Sequence, residues 1–428
     1  MKSEWEEFKL SDHITVKHGF AFKGKHITTE ATWNILLTPG NFNVGGGFKA
    51  NKFKYYNSND YPDEYVLQAN DLIVTMTDLS KAGDTLGYPA KVPYSSTYRY
   101  LHNQRLGLVN LISNDLDIEY LYWLMRTKKY QKFIVNSATG STVKHTSPSR
   151  ILEYTFTAPS DTKKQKKIAH ILSTLDDKIE LNRKINDTLE AMAQALFKSW
   201  FVDFDPVHVK AGAKSEQGLE ATAAKIGISK EILELFPSEL EESEMGMIPK
   251  GWEVAKIEKI LKRYRTPKRY KKDAVEKYGM TMVFEQGADI ILGYHNDIGE
   301  FEATPDDPMF IFGDHTCVMR LSTKPFSISE NVIPLSGSIR NGYWSYYATY
   351  GQQSFQEYRR HWAELIVKDI VLAPIDVCDY FAKKVQSFIL KIEQNRLENN
   401  VLILMRDTLL PKLLSGELDV SKLLIETN

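Results

Sequence analysis

The sequence predicts an α+β protein written as an internal repeat. Two β-rich modules are separated by two long helices that pack on each other as a pseudo-dimer, with a pseudo-two-fold axis if they pair antiparallel. Three observations carry this. First, "KIELNRKIN" (Lys178 to Asn186) and "KIEQNRLEN" (Lys391 to Asn399) share six of nine residues at an offset of 213 in a chain of 428. A repeat of this kind governs the fold before any local signal does. Second, apolar residues recur every seven positions through both copies: Ile168, Leu175, Leu189 and Leu196 in one, Phe381, Phe388, Leu402 and Leu409 in the other. Third, the segments upstream hold short alternating runs such as "EYVLQANDLIVTMT" and "PMFIFGDHTCVMRLS", broken by Gly, Asn and Asp. That is the pattern of strands and tight turns.

The elements follow in order. Residues 1–160 form the first module, opened by "EWEEFKL" and closed by "DIEYLYWLMRTKKYQKFIV", whose apolar residues recur at three and four as in a helix. Residues 161–202 are the first long helix. Residues 203–250 read as a connector with one short helix, ending in the acidic, Pro-punctuated "LFPSELEESEMGMIPKG". Residues 251–380 are the second module, opened by "GWEVAKI", which resembles the opening of the first. Residues 381–428 are the second helix. In both seven-residue series the polar break is an asparagine, Asn182 and Asn395. An Asn in an apolar seam lowers stability and selects register and partner. A helical segment of about 40 residues spans on the order of 60 Å.

Bulk composition narrows the function classes. With 43% hydrophobic and 25% charged residues this is an ordinary globular chain. The N-terminal stretch lacks the apolar core of a signal peptide, and no apolar run reaches the roughly 18 residues of a membrane span. Two cysteines, Cys317 and Cys378, make neither a disulfide framework nor a tetrahedral zinc site, so a cytoplasmic protein without a metal centre is expected. The net charge of −1 argues against a chain that binds nucleic acid with its whole surface. Charge is clustered, however: Lys256 to Lys272 holds nine Lys or Arg in seventeen residues against one acid, Glu258, with tyrosines interleaved. A second cluster is "KKQKK", Lys163 to Lys167. Such patches suit phosphates.

No catalytic constellation emerges. "GFAFKGKH" fits G-x-x-x-x-G-K, but His26 stands where a phosphate loop needs a hydroxyl. "NVGGGFK" lacks the strand–turn–helix setting of a dinucleotide fingerprint. Asp314 and His315 in "FGDHT" have no nucleophile or metal beside them and read as a turn. Gly140, Gly287 and Gly313 read as turn formers. A chain of this length without such a constellation binds something and does not transform it.

The residues resemble the DNA-specificity subunit of type I restriction–modification enzymes over essentially the whole length. The most specific stretches are "LFKSWFVDFDPVHVKA" and "LFPSELEESEMGMIPKGWEV". They are supported by "ANDLIVTMT", "YLHNQRLG", "SATGST", "EQGADIILGYHND" and "FIFGDHT". "KKQKKIAHILSTLDDKIELNRKIN" is similar to the family's central conserved region. The resemblance implies two target-recognition domains on small α/β scaffolds, and an antiparallel coiled coil that acts as a ruler and docks two methyltransferase subunits. Those subunits would bring S-adenosylmethionine, and translocase–nuclease subunits would bring ATP and Mg; the chain itself would bind no cofactor and double-stranded DNA would be its ligand. There are departures. Gln165 and Ile168 keep the pattern at the start of the first helix, but Lys164 stands where Glu is usual, and "LAPIDVCDYFAKKV" diverges further.

Base edges are read by Arg, Asn and Gln, and phosphates are held by Lys, Arg, Ser and Thr. The candidates in the first module are Lys81, His102, Asn103, Gln104, Arg105, Ser141, Thr142, Lys144 and His145. In the second they are Arg265, Lys268, Arg269, Lys271, Tyr294, His295, Asn296, His315, Arg359 and Arg360. Two other readings compete: a non-enzymatic adaptor whose helices recruit protein partners, and a degenerate adenine methyltransferase.

Overall fold

The computed structural model describes residues 4–80, 82–140, 143–212, 220–221, 223, 226–266, 268–287 and 289–420. The chain divides into two compact units, Met1–Glu180 with Asn399–Asn428, and Leu181–Glu398. Each unit therefore holds one module and part of each long helix.

In the first unit the module contains two sheets. Strands Ile14–His18, Leu106–Leu111, Leu72–Thr75 and Pro89–Lys91 form an antiparallel sheet in that order. Its central "LIVT" strand is buried throughout, as its β-branched sequence requires. The second sheet is ordered Ile27–Thr28, Lys54–Tyr56, Asn34–Leu37, Arg99–His102 and Val66–Leu67. Its middle pair, Asn34–Leu37 with Arg99–His102, is parallel. Helix Ile118–Met125 is capped by Asp117, whose carboxylate accepts from the Glu119 and Tyr120 amides. It packs Tyr120, Leu121 and Trp123 into the core. Strand Trp5–Lys9 pairs with Thr155–Pro159, which leads into the first long helix, Thr162–Phe201. Gln165 fixes that departure: fully buried, it donates to Asp115 O and Pro159 O (2.9 and 2.8 Å) and accepts from the Asp117 amide (2.8 Å). Lys164 pairs with Glu4 and Asp419 at 3.2 and 3.4 Å, so the departure from the expected Glu has acidic partners.

The second unit repeats the plan. Strands Leu261–Arg263, Val332–Gly337, Met309–Gly313 and Met319–Ser322 form an antiparallel sheet. Ile291–His295, Thr281–Phe284 and Phe326–Ile328 form a second, again with one parallel pair. Strand Glu253–Lys256 pairs with Asp369–Leu372, which leads into the second long helix, Ile375–Ser415. This helix begins earlier than the expected 381. Val377 and Cys378 are buried and extend the apolar stripe by one turn ahead of Phe381, the first position the seven-residue series recognised.

The expected connector, 203–250, is more than a tether. Helices Asp205–Gly212 and Lys230–Glu234 and the hairpin Leu240–Ser243 with Gly246–Pro249 occupy it. Phe204, Val207, Ile232, Leu233, Phe236 and Ile248 are buried in one cluster with Trp200 and Trp252. Its polar average concealed these apolar residues, spaced too irregularly to announce a helix.

The long helices run antiparallel within each unit. In the first, Asp176 lies opposite Arg406, and Asn399 Nδ2 donates to Ile179 O at 3.3 Å. In the second, Asn182 Nδ2 donates to Glu398 Oε2 (2.8 Å) and Asn395 Nδ2 to Asn186 Oδ1 (2.9 Å). The two seam asparagines read from the sequence are thus buried, and the repeat supplies two more, Asn186 and Asn399. Apolar layers flank them: Ile168, Ala169 and Leu172 with Leu413 and Leu414 in one unit, Ala193, Trp200 and Phe201 with Phe381, Val385 and Ile389 in the other.

In the first unit an ionic joint ties module to helices. Arg126 donates to Asp176 Oδ2 (2.7 Å), Tyr122 OH (2.9 Å) and Gly45 O (2.9 Å), and Arg406 donates to Asp176 Oδ1 at 2.5 Å. The glycine run of "NVGGGFK" serves this contact. Gly45, Gly46 and Gly47 all have positive φ, and a Cβ on Gly46 would lie 2.7 Å from Arg126 Cγ. Burial alone would push the Asp176 carboxyl up, but Arg126 and then Arg406 outweigh it and hold it below the usual carboxylate range.

These buried polar groups set two expectations for stability. Asp176→Ala leaves the buried Arg126 guanidinium without a carboxylate, while Arg406 keeps Asp407, and should lower stability by about 3 kcal/mol, read as a fall in Tm. Because the folded-state pKa is depressed, this stabilisation is present above the unfolded value of about 3.9 and is lost as pH falls through the lower folded value. Acid melting of Asp176→Asn should therefore be less steep than that of the wild type. Asn395→Leu strands the Asn186 amide and should destabilise by about 1–3 kcal/mol. Replacing Asn186 and Asn395 together with Leu should recover or exceed the original Tm; a double variant no more stable than the single one would contradict the assignment.

Candidate nucleic-acid interface

Each module carries the same main-chain frame around a tight turn. In the first, the turn Asn103–Arg105 joins strands Arg99–His102 and Leu106–Leu111, and Arg105 O accepts from the Met76 amide (2.9 Å). Met76 O then accepts from the Thr146 amide (3.0 Å), which draws Lys144 and His145 alongside. In the second, the turn Ser329–Asn331 joins Phe326–Ile328 and Val332–Gly337, and Asn331 O accepts from the Asp314 amide (2.9 Å). Asp314 O accepts from the His361 amide (2.8 Å), which draws Arg359 and Arg360 alongside. By this pattern Gln104 corresponds to Glu330, Arg105 to Asn331, Thr77 to His315, and His145 to Arg360.

The frame sorts the candidate residues of the first module. Gln104 and Arg105 are exposed at the turn, with His145 exposed and Lys144 half-buried beside it. His145 Nδ1 lies 3.2 Å from Thr77 Oγ1. Gly140, at φ +92, makes the turn that returns the chain to His145; a Cβ there would lie 2.0 Å from Val143 O. Asp78 shapes the loop below, accepting from the Ser80 amide (2.7 Å) and from the amide and hydroxyl of Thr85 (2.5 and 2.7 Å). Burial raises its carboxyl, but those hydrogen bonds prevail and hold it below its ordinary value. Lys81, Ser141 and Thr142 lie outside the described residues.

Two candidates of the first module are corrected. His102 is fully buried, with Nε2 2.9 Å from Leu106 O, and burial pushes its pKa down to about 4. It is a neutral core group on a strand that alternates inward at that position. Asn103 is also buried; its side chain accepts from the Arg105 amide (3.0 Å) and builds the turn.

In the second module Arg263, Arg265 and Arg269 gather along a concavity of about 330 Å³ with Tyr264, Thr266, Ile333 and Pro334. A neighbouring cleft of about 340 Å³ is lined by Arg263, Arg269, Arg360, Asp314, Glu330 and Asn331. Among the described residues no ion pair engages Arg263 or Arg265; Arg263 lies over the Trp362 ring at 5.3 Å. Arg360 is 78% exposed, 3.8 Å from Asp314 Oδ2. Lys271 and Asn296 are exposed, and Tyr294 is half-buried. Asn296 also accepts from the Met280 amide at 3.2 Å.

Other candidates here are occupied internally. His295 is buried, stacked on Tyr270 at 4.4 Å, with Nε2 2.9 Å from Ser327 Oγ and Nδ1 accepting from the Asp297 amide (3.2 Å). Arg269 donates to Ser329 O and Val332 O (2.8 and 3.0 Å), so it braces the turn. Burial, then the neighbouring Arg263, lowers its pKa. Lys268 is balanced by Asp297 and Glu300, and Arg359 by Glu364 and Glu357. The His315 ring packs edge-on against Tyr358 at 4.7 Å with both nitrogens covered. Sequence reasoning missed Arg263, Glu330 and Asn331. Arg263 sat inside the basic run it did recognise, whereas Glu330 and Asn331 carried no local signal and are found only through the repeated hydrogen bonds.

The motifs set aside as catalytic stay so. Gly24–His26 is one 3-10 turn that runs into strand Ile27–Thr28, with no helix to cradle phosphate. "FGDHT" is a turn in which Gly313 N donates to Val318 O (2.8 Å) and Thr316 Oγ1 to Gln286 O (2.9 Å). Among the described residues no three His, Cys, Asp or Glu side chains are grouped to hold a metal ion, and no helix is long and apolar enough to cross a membrane.

Comparison with known proteins places this architecture. Residues 2–191 match the type I restriction modification DNA specificity domain. The type I restriction enzyme HindI specificity subunit of Haemophilus influenzae is 26% identical, the alignment covering 87% of this chain and 98% of that one. The MjaIX specificity subunit of Methanocaldococcus jannaschii is 27% identical, over 74% of this chain and 73% of that one. The crystal structure of the type I restriction–modification S subunit from M. genitalium superposes with a TM-score of 0.53 at 16% identity, covering 96% of each chain, which shows a shared fold. Residues 2–191 thus match the type I restriction modification DNA specificity domain, and over most of its length the chain is similar to type I restriction enzyme specificity subunits.

Proposed function

We propose that the chain is the DNA-reading subunit of a restriction–modification complex, and that each module reads one half of an asymmetric two-part target. The observation that carries this reading is the shared frame with unlike tips: exposed Gln104, Arg105 and His145 in one module, exposed Glu330 and Arg360 with half-buried Asn331 in the other. A common scaffold with divergent polar tips suits two different base sequences. Arg263, Arg265 and Lys271 supply positive charge for phosphates beside the second tip, and Lys144 does so beside the first.

The long helices, of 40 and 41 residues, set the unread gap between half-sites through their fixed register. Their outer faces dock two methyltransferase subunits, which bring S-adenosylmethionine, while translocase–nuclease subunits bring ATP and Mg. The chain performs no chemistry of its own and works in the cytoplasm beside the DNA.

Two experiments test this. Affinity of the assembled complex for DNA should fall steeply with salt, and Arg263→Ala with Arg265→Ala should reduce the slope of log K against log salt by roughly 0.9 for each phosphate no longer neutralised. A protein-recruiting adaptor predicts no such slope. Exchanging residues 1–160 for those of a relative should change one half-site and leave the other; a change in both halves would contradict independent modules.

A further inference from the structure

The first exposed position of the shared turn is Gln104 in one module and Glu330 in the other. Both turns are bolted at the backbone. Gln104 N donates to Phe20 O (3.0 Å), Leu106 N to Asn103 O (2.9 Å), and Asn103 Oδ1 holds the Arg105 amide. Around Glu330, Arg269 grips the carbonyls of Ser329 and Val332, and Asn331 takes a left-handed φ of 61° so that its carbonyl can reach the Asp314 amide. Yet among the described residues no hydrogen bond or ion pair engages the side chain of Gln104 or of Glu330. A rigid turn with a disengaged polar tip is prepared for an external partner, since little ordering remains to be done on binding.

The chemistry at Glu330 narrows that partner. Its carboxylate shares a cleft with Arg263, Arg269 and Arg360 without closing an ion pair on any of them. A carboxylate on a face that meets phosphates is repelled, so its presence there is favourable only if a donor meets it. In the major groove the donors are exocyclic amines, and a carboxylate, which only accepts, matches cytosine N4. A carboxamide both accepts and donates, and matches adenine N6 and N7.

We infer, resting on the reading of the chain as a two-part DNA reader, that Glu330 reads the amino group of a cytosine in the second module's half-site and that Gln104 reads an adenine in the first module's half-site. The equivalence of the two positions makes them one specificity-determining place, used twice with different chemistry.

The test uses the full chain assembled with its methyltransferase partner, with sequence preference read from adenine methylation on a randomised DNA pool. Glu330→Gln should turn one position of the second half-site from C·G towards A·T, changing discrimination there roughly ten- to a hundred-fold, and should leave the first half-site and the Tm unchanged. Gln104→Glu should do the reverse at one position of the first half-site. If both variants keep the wild-type preference at every position, or lose methylation equally across all sequences, the assignment is overturned while the two-part reading stands. If the wild-type complex itself shows no two-part preference, it is the functional reading that fails.

Discussion

Two antiparallel helices with an apolar seam can slide past one another at little cost, because one apolar contact replaces another. Buried polar groups remove that freedom. In the first unit Asp176 faces Arg406 and Asn399 reaches Ile179 O; in the second Asn182 reaches Glu398 and Asn395 reaches Asn186. Sliding either helix by a turn would strand these groups in an apolar layer, at about 1–3 kcal/mol for each unsatisfied one. These polar pairings therefore favour one register, as in other seams interrupted by asparagine. The fixed separation proposed for the two half-sites depends on such a constraint before it depends on any base contact.

Within each module the same division of labour appears. The backbone hydrogen bonds that place the turn recur between the two, while the side chains displayed there do not. His102 and His295, residue types suited to touching DNA, prove to be neutral, buried groups that hold the frame. Arg269 is a brace with its charge turned to carbonyls. Change at the tips can then occur without disturbing the core that presents them.

Much of the architecture was legible because it rests on periodicity. The repeat at offset 213, the seven-residue seam and the paired asparagines are properties of spacing, and spacing survives in a single sequence. The connector was misread because its buried aromatic and aliphatic residues, such as Phe204 and Phe236, follow no period. The candidate interface was only partly legible. Gln104, Arg105 and Arg360 stand out as exposed polar types near turn signals, but burial decides between contact and scaffold, and no residue type declares its own burial. Glu330 carried no local signal of its own, and only the repeated frame makes it the counterpart of Gln104.

The central claim is that one chain places two unlike readers at a fixed separation on DNA. Its most direct test is a map of methylated adenines in DNA exposed to this chain assembled with a methyltransferase subunit. A single motif of two unlike parts, separated by an unread gap of constant length, is the predicted result. Methylation that needs this chain but follows one short continuous motif would contradict it.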